Sequence, residues 1–174
     1  MSPSQRAKNA AFLCCHFARN LAYYNAGRKV LPLDREGFWL TTMGNCIDVC
    51  VLEWCKLFGN RNGKYHWRNV LHAPDDFKTS VLGAMHLSQD QFDLLYKRVK
   101  NYRDEFVAHL EDSETTTVPV MSVPYILVCA YYRQLCEDFP TLATTEALPK
   151  DLGNYLLRQI EEANEVYRLY GAPT

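Results

Sequence analysis

Arg103 and His109 stand six positions apart in the stretch "YRDEFVAHLEDSE". A guanidinium that is always charged can hold a phosphodiester and stabilise negative charge growing on its oxygens. An imidazole can move a proton to or from a ribose or leaving-group oxygen. His109 sits where a helix is expected to end, and the negative helix terminus favours its protonated form. Glu111, Asp112 and Glu114 act in the same direction. The pair therefore suits phosphodiester chemistry, and the bland alternative is a helix-capping histidine. With eleven arginines and five histidines, Arg and His separated by four to six residues should meet about once by chance. The pattern occurs twice, the other match being Arg61 and His66 in "RNGKYH".

Position separates the two matches. On a helical wheel Phe92, Leu95, Tyr96, Val99, Tyr102, Phe106 and Leu110 form one arc, with Arg103 near its middle and His109 at its edge. Lys97, Asn101, Asp104 and Ala108 form the opposite, solvent face. An unpaired arginine cannot be buried cheaply. Arg103 has three outlets: a buried acid such as Asp48 or Glu53, a snorkelling side chain, or a cleft that takes an anion.

The earlier match lies in a polar loop, "NRNGKYHWRN", which interleaves Arg61, Lys64, His66 and Arg68 with Tyr65 and Trp67. Basic and aromatic side chains together can grip and stack single-stranded RNA. The bland alternative is a solvated loop with Trp67 packed back onto the domain. Lys97 and Lys100 are positioned to extend such a patch. No metal site is expected. In "CCH" at residues 14–16 the side chains point about 100° apart and cannot converge. Cys46 and Cys50 share a helix face but lack histidines at matching spacing.

The elements that must position these residues read as helices. Apolar periodicity predicts a first helix over 4–26, and a second over 36–58 that is apolar nearly all round and therefore central. A short helix follows Pro74 and Asp75. Ser88, with Gln91 three residues on, opens a fourth helix expected to reach 112. Two more are expected over 124–138 and 149–170, with a few strand residues near 117–120 the only candidate for β-structure. The helix carrying Arg103 should pack on the second helix. This is one all-α bundle spanning residues 1–174.

Composition bounds the rest. The chain has 174 residues, 48% hydrophobic and 22% charged, with a formal net charge of −1. No global basic field draws it to nucleic acid, so any such binding needs a local patch. Seven cysteines, three of them inside apolar runs, point to buried thiols and a reducing compartment. The first twenty residues do not read as a signal peptide, and no apolar run reaches the ~18 residues a membrane span needs. The expectation is a cytoplasmic protein.

In "RDEFVAH", Arg103, Asp104 and His109 resemble the motif of the HEPN superfamily of small α-helical proteins, which is an arginine, a polar residue, a few residues and a histidine on a late helix. The likeness is greatest to members found among abortive-infection and toxin–antitoxin proteins, and covers roughly residues 36–114. It implies a HEPN-like bundle with additional flanking helices. It also implies a metal-independent RNA endonuclease without a cofactor, acting in phage defence or as a toxin, with two motifs meeting in a homodimer cleft. On that likeness His109 is general base or acid, Arg103 holds the scissile phosphate and Asp104 orients the pair. An antitoxin or defence partner is a further expectation. Some members carry a tyrosine two residues after the histidine, modified by a partner nucleotidyltransferase; Glu111 stands there, so that partner is not implied. The alternative is a non-catalytic helical module that binds a protein or RNA.

Overall fold

The computed structural model describes residues 1–31, 37–107 and 117–170. Seven α-helices make up the described chain: α1 Pro3–Val30, α2 Phe38–Trp54, α3 Trp67–Val70, α4 Pro74–Ala84, α5 Gln89–Tyr102, α6 Ser122–Asp138 and α7 Leu152–Tyr170. Two π-helical turns extend them, Cys55–Gly59 after α2 and Arg103–Val107 after α5. There is no strand among the described residues, and 117–120, the one candidate for β-structure, carries no regular structure.

The hub is α1, not α2. Its 28 residues span about 42 Å. Ser2 caps the start by accepting from the Gln5 N–H at 3.2 Å, ahead of Pro3. Its buried faces are built from Ala7, Ala10, Ala11, Ala18, Ala22 and Ala26 around Cys14 and Phe17. Such small side chains let α2, α6 and α7 all lie against it. At Gly27 the approach is closest: an added Cβ would meet Met43 Sδ at 2.7 Å and Tyr167 at 3.1 Å. By contrast α2 is buried mainly in its second half, through Cys46, Ile47, Cys50, Val51 and Trp54, while Phe38 and Leu40 are exposed. An apolar sequence was not enough to make α2 central: in its first half Trp39 and Met43 pack on Tyr167 and Gly27, while Phe38 and Leu40 stay exposed.

The expected packing of α5 on α2 is present. Tyr102 donates its hydroxyl proton to Asp48 Oδ1 at 2.9 Å, and the Trp54 and Tyr96 rings are 6.4 Å apart. Ser88 and Gln91 form the reciprocal cap at the start of α5. Cys14, Cys15, Cys46, Cys50 and Cys55 are buried as free thiols.

Candidate nucleic-acid interface

Arg103 opens the second π turn. One-turn π-helical insertions of this kind recur at functional sites. Its guanidinium pairs with neither Asp48 nor Glu53, the two acids considered from the sequence. Asp48 is taken by Tyr102, and buried Glu53 by Lys56 Nζ at 2.8 Å, with His16 Nδ1 at 3.8 Å. Instead Arg103 Nε donates to Asp104 Oδ1 at 2.7 Å, and Nη2 donates to the same oxygen. Lys100 Nζ donates to Asp104 Oδ2 at 2.8 Å. Asp104, placed on the solvent face by the wheel, thus sits between two cations. The hydrogen bond from Lys100, then that from Arg103, holds its carboxyl below the usual carboxylate range.

The Arg103 side chain retains 25% exposure. It opens into a groove of about 420 Å³ whose other walls are Leu52, Cys55 and Lys56 from α2 and its π turn, and Asn60, Gly63, Lys64 and Tyr65 from the loop. The motif arginine and two residues of the basic loop, Lys64 and Tyr65, therefore line one groove, while Arg61, His66, Trp67 and Arg68 do not. Burial pushes the Cys55 thiol up to about 11, against the pull of Arg103, and so favours the protonated thiol.

The loop itself divides into outward and inward residues. Arg61, Lys64 and Arg68 are exposed and Tyr65 is half-buried, with Lys64 Nζ 5.0 Å from the Tyr65 ring centre. His66 and Trp67 are buried, at 2% and 4% exposure. The Arg68 N–H donates to His66 Nδ1 at 3.2 Å, so Nε2 carries the proton and donates to the Phe58 carbonyl at 3.0 Å. Burial lowers the imidazole to about 4. His66 is a neutral strut, and Trp67 packs on Phe77 at 5.6 Å. Neither side chain presents a face for a base to stack on. Asn69 Nδ2 closes the loop by donating to the Arg61 and Gly63 carbonyls at 2.7 and 2.9 Å.

On the other side of the loop lies a cleft of about 310 Å³ between the loop, α4 and α5. Arg61, Arg68, Lys78 and Lys97 rim it, and Phe92 and Tyr96 wall it. Lys78 was not singled out from the sequence, because a lone lysine on a short amphipathic helix carries no pattern. His109 lies outside the described residues, as do Glu111, Asp112 and Glu114. Among the described residues no group of three His, Cys, Asp or Glu side chains is placed to hold a metal ion, and no helix is long and apolar enough to cross a membrane. No family profile, curated protein or solved structure matches the chain. What the geometry defines is an all-helical domain with two basic, aromatic-lined depressions on either side of one loop.

Proposed function

We propose that the protein is a metal-independent RNA endonuclease of the HEPN kind, serving as a phage-defence effector or toxin. The observation that carries the RNA part is the shared groove: Arg103, Lys56, Lys64 and Tyr65 face the same space. Cations beside an aromatic ring are what a single strand needs for its phosphates and bases. In this reading the Arg103 guanidinium turns from Asp104 to the scissile phosphate and stabilises its growing charge. His109 takes the proton of the 2′-hydroxyl, whose oxygen attacks phosphorus. The bond to the 5′-oxygen breaks with proton return, leaving a cyclic phosphate. Asp104 orients the pair, and a second copy of the chain brings its own motif to the cleft. An antitoxin or defence partner would act by covering this groove.

A second reading, a non-catalytic module that binds RNA or a protein, is favoured by one observation: Asp104 already occupies two nitrogens of Arg103. Purified protein incubated with RNA in chelator separates the two. His109→Ala should lower cleavage by about 10²–10⁴-fold. Arg103→Ala should lower cleavage and weaken binding as well, and Arg103→Lys should rescue little, because an ammonium lacks the planar fork. Arg61→Ala, without its buried histidine partner, is the control and should weaken binding at most. Wild-type protein that binds RNA but leaves it intact would establish the module.

A further inference from the structure

The cleft on the far side of the loop differs from the Arg103 groove in chemistry. Among the described residues, the side chains of Arg61, Lys78 and Lys97 make no ion pair, and Arg68 alone is engaged, with Asp75 at 2.9 Å. These cations come from the loop, α4 and α5, so they surround the space rather than line one edge. A net charge of −1 for the whole chain makes this concentration a local feature. Phe92 and Tyr96, four residues apart on α5, present two rings along one wall. Tyr96 is held in place by donating its hydroxyl proton to the Gly59 carbonyl at 2.6 Å. Asp93 also lines the cleft, steadied by Gln89 Nε2 at 2.8 Å.

Each part narrows the ligand. The unpaired cations call for a phosphate, and the rings for a flat, apolar face. A carboxylate can only accept hydrogen bonds, so Asp93 calls for hydroxyl or amino donors on the same molecule. Inorganic phosphate meets the first demand alone, and an acidic peptide lacks the flat ring that the wall favours. A volume of about 310 Å³ lies at the small end of ligand pockets, about 300–1,000 Å³, which admits one nucleotide and excludes a helix. We propose that this cleft binds a single nucleoside monophosphate unit, with the phosphate among Arg61, Lys78 and Lys97, the base against Phe92 and Tyr96, and the ribose or an exocyclic amino group donating to Asp93. The unit is either a free nucleotide or the phosphorylated end of an RNA strand. The site shares the loop with the RNA reading above but stands without it.

Calorimetric titration of the intact chain with uridine and adenosine 5′-monophosphates, uridine and inorganic phosphate tests this. Both monophosphates should bind, with uridine and phosphate weaker by about tenfold or more, the loss expected when charge-assisted bonds or stacking disappear. Lys78→Gln combined with Lys97→Gln should weaken the monophosphates by about tenfold or more. Phe92→Leu, which keeps the apolar bulk but removes the ring, should weaken them by less. Lys29→Gln on α1 should leave binding unchanged, and melting curves must show each variant folded. Competition by an oligouridine with and without a 5′-phosphate identifies the source: stronger displacement by the phosphorylated strand assigns a strand end, displacement by neither strand assigns a free nucleotide, and equal displacement by both overturns the proposal, because an internal stretch of strand is then what binds. The proposal is overturned if uridine binds as well as its monophosphate, if the double lysine variant binds like wild type, or if neither monophosphate binds at millimolar concentration. Monophosphate binding with no RNA binding in the Arg103 groove would instead overturn only the proposed function.

Discussion

The two depressions on either side of the loop contain similar numbers of cations and differ in what those cations already hold. Of the three cations lining the Arg103 groove two have an acid, Lys56 with Glu53 and Arg103 with Asp104, and Lys64 alone has none among the described residues. Across the loop, Arg61, Lys78 and Lys97 have none among the described residues. Counting basic residues along the chain hides this, because a guanidinium already forked to a carboxylate attracts an incoming phosphate only as far as it outcompetes that carboxylate. The groove, with two of its three cations held, is therefore suited to a contact that forms largely by exchange, and the cleft, where Asp93 is present but forms no ion pair, to one that forms mostly on arrival.

The cleft is walled by Phe58 and Tyr96, which do not line the Arg103 groove, and the largest effect should come from removing their support. Trp54 has no exposed surface, stacks on Phe58 at 5.4 Å and leans on Tyr96. Trp54→Ala should cost about 3–5 kcal/mol and should weaken ligand binding in the cleft more than in the Arg103 groove. Chemical denaturation of wild type and variant measures the first, and paired titrations measure the second. Equal losses on both sides of the loop would show that Trp54 acts through the whole fold and not through the cleft wall.

Acid should act next, through His66. Its folded value of about 4 lies below the unfolded value of about 6.5. The unfolded chain therefore takes up the extra proton, and this contribution to stability is full above about 6.5 and lost as the pH falls towards about 4. By pH 5 the loss should reach about 2 kcal/mol. Urea melts at pH 7 and pH 5 should show that His66→Gln has a shallower fall than wild type, on top of whatever the carboxylates contribute in both.

Much of this arrangement can be read from residue patterns, and the part that cannot has a physical reason. The alanine stripe of α1 and the Ser88–Gln91 cap announce their helices, since both are local. Arg103 was legible as a residue that could not lie simply in a core. The two π turns were not. A widened turn replaces hydrogen bonds four residues apart with bonds five apart, and which register wins is set by packing on a neighbouring helix. Asp104 keeps the outward position the wheel gives it, its side chain being 39% exposed, and its bond from Lys100 has ordinary helical spacing; what the wheel does not show is that the Arg103 guanidinium bends back to the same carboxylate. Burial of His66 was equally hidden: "KYHWR" reads as a basic aromatic loop, but the free carbonyl of Phe58 lies eight residues back and becomes its partner only once the chain has turned. That α1 rather than α2 is the hub follows from side-chain size, which permits three neighbours, and not from hydrophobicity.

Asp104→Asn should separate holding from reacting in the Arg103 groove. Losing the carboxylate charge frees Arg103 and Lys100, so RNA affinity should rise on the order of threefold to tenfold at low salt, with the gain shrinking as salt is added. If Asp104 orients the catalytic pair, cleavage should fall while binding rises. Filter binding and single-turnover cleavage on the same preparation measure the two. Unchanged affinity would show that the groove's cations are not what an RNA strand meets.

The smallest effect should come from making the cleft's one engaged cation resemble the others. Arg68 is held by Asp75, whose side chain is 84% exposed. An ion pair this open contributes about 0–1 kcal/mol. Asp75 also lies in the first turn of α4, where a negative charge is mildly favourable to the helix. Asp75→Asn should therefore lower stability by less than about 1 kcal/mol. It should also release Arg68 towards the cleft, and with that arginine's own acid gone the monophosphates should bind about twofold more tightly, a gain that moderate salt erases because every group involved is at the surface. Arg68 still lies over the Trp67 ring at 5.2 Å, so the guanidinium has a resting place that costs the cleft part of the gain. Arg68→Gln alone should weaken the monophosphates slightly, and adding Asp75→Asn to it should change nothing further, because the carboxylate acts through the arginine. A further gain from Asp75→Asn in the absence of Arg68 would mean that the carboxylate repels the phosphate directly, and that the cleft reaches farther along α4 than its lining shows.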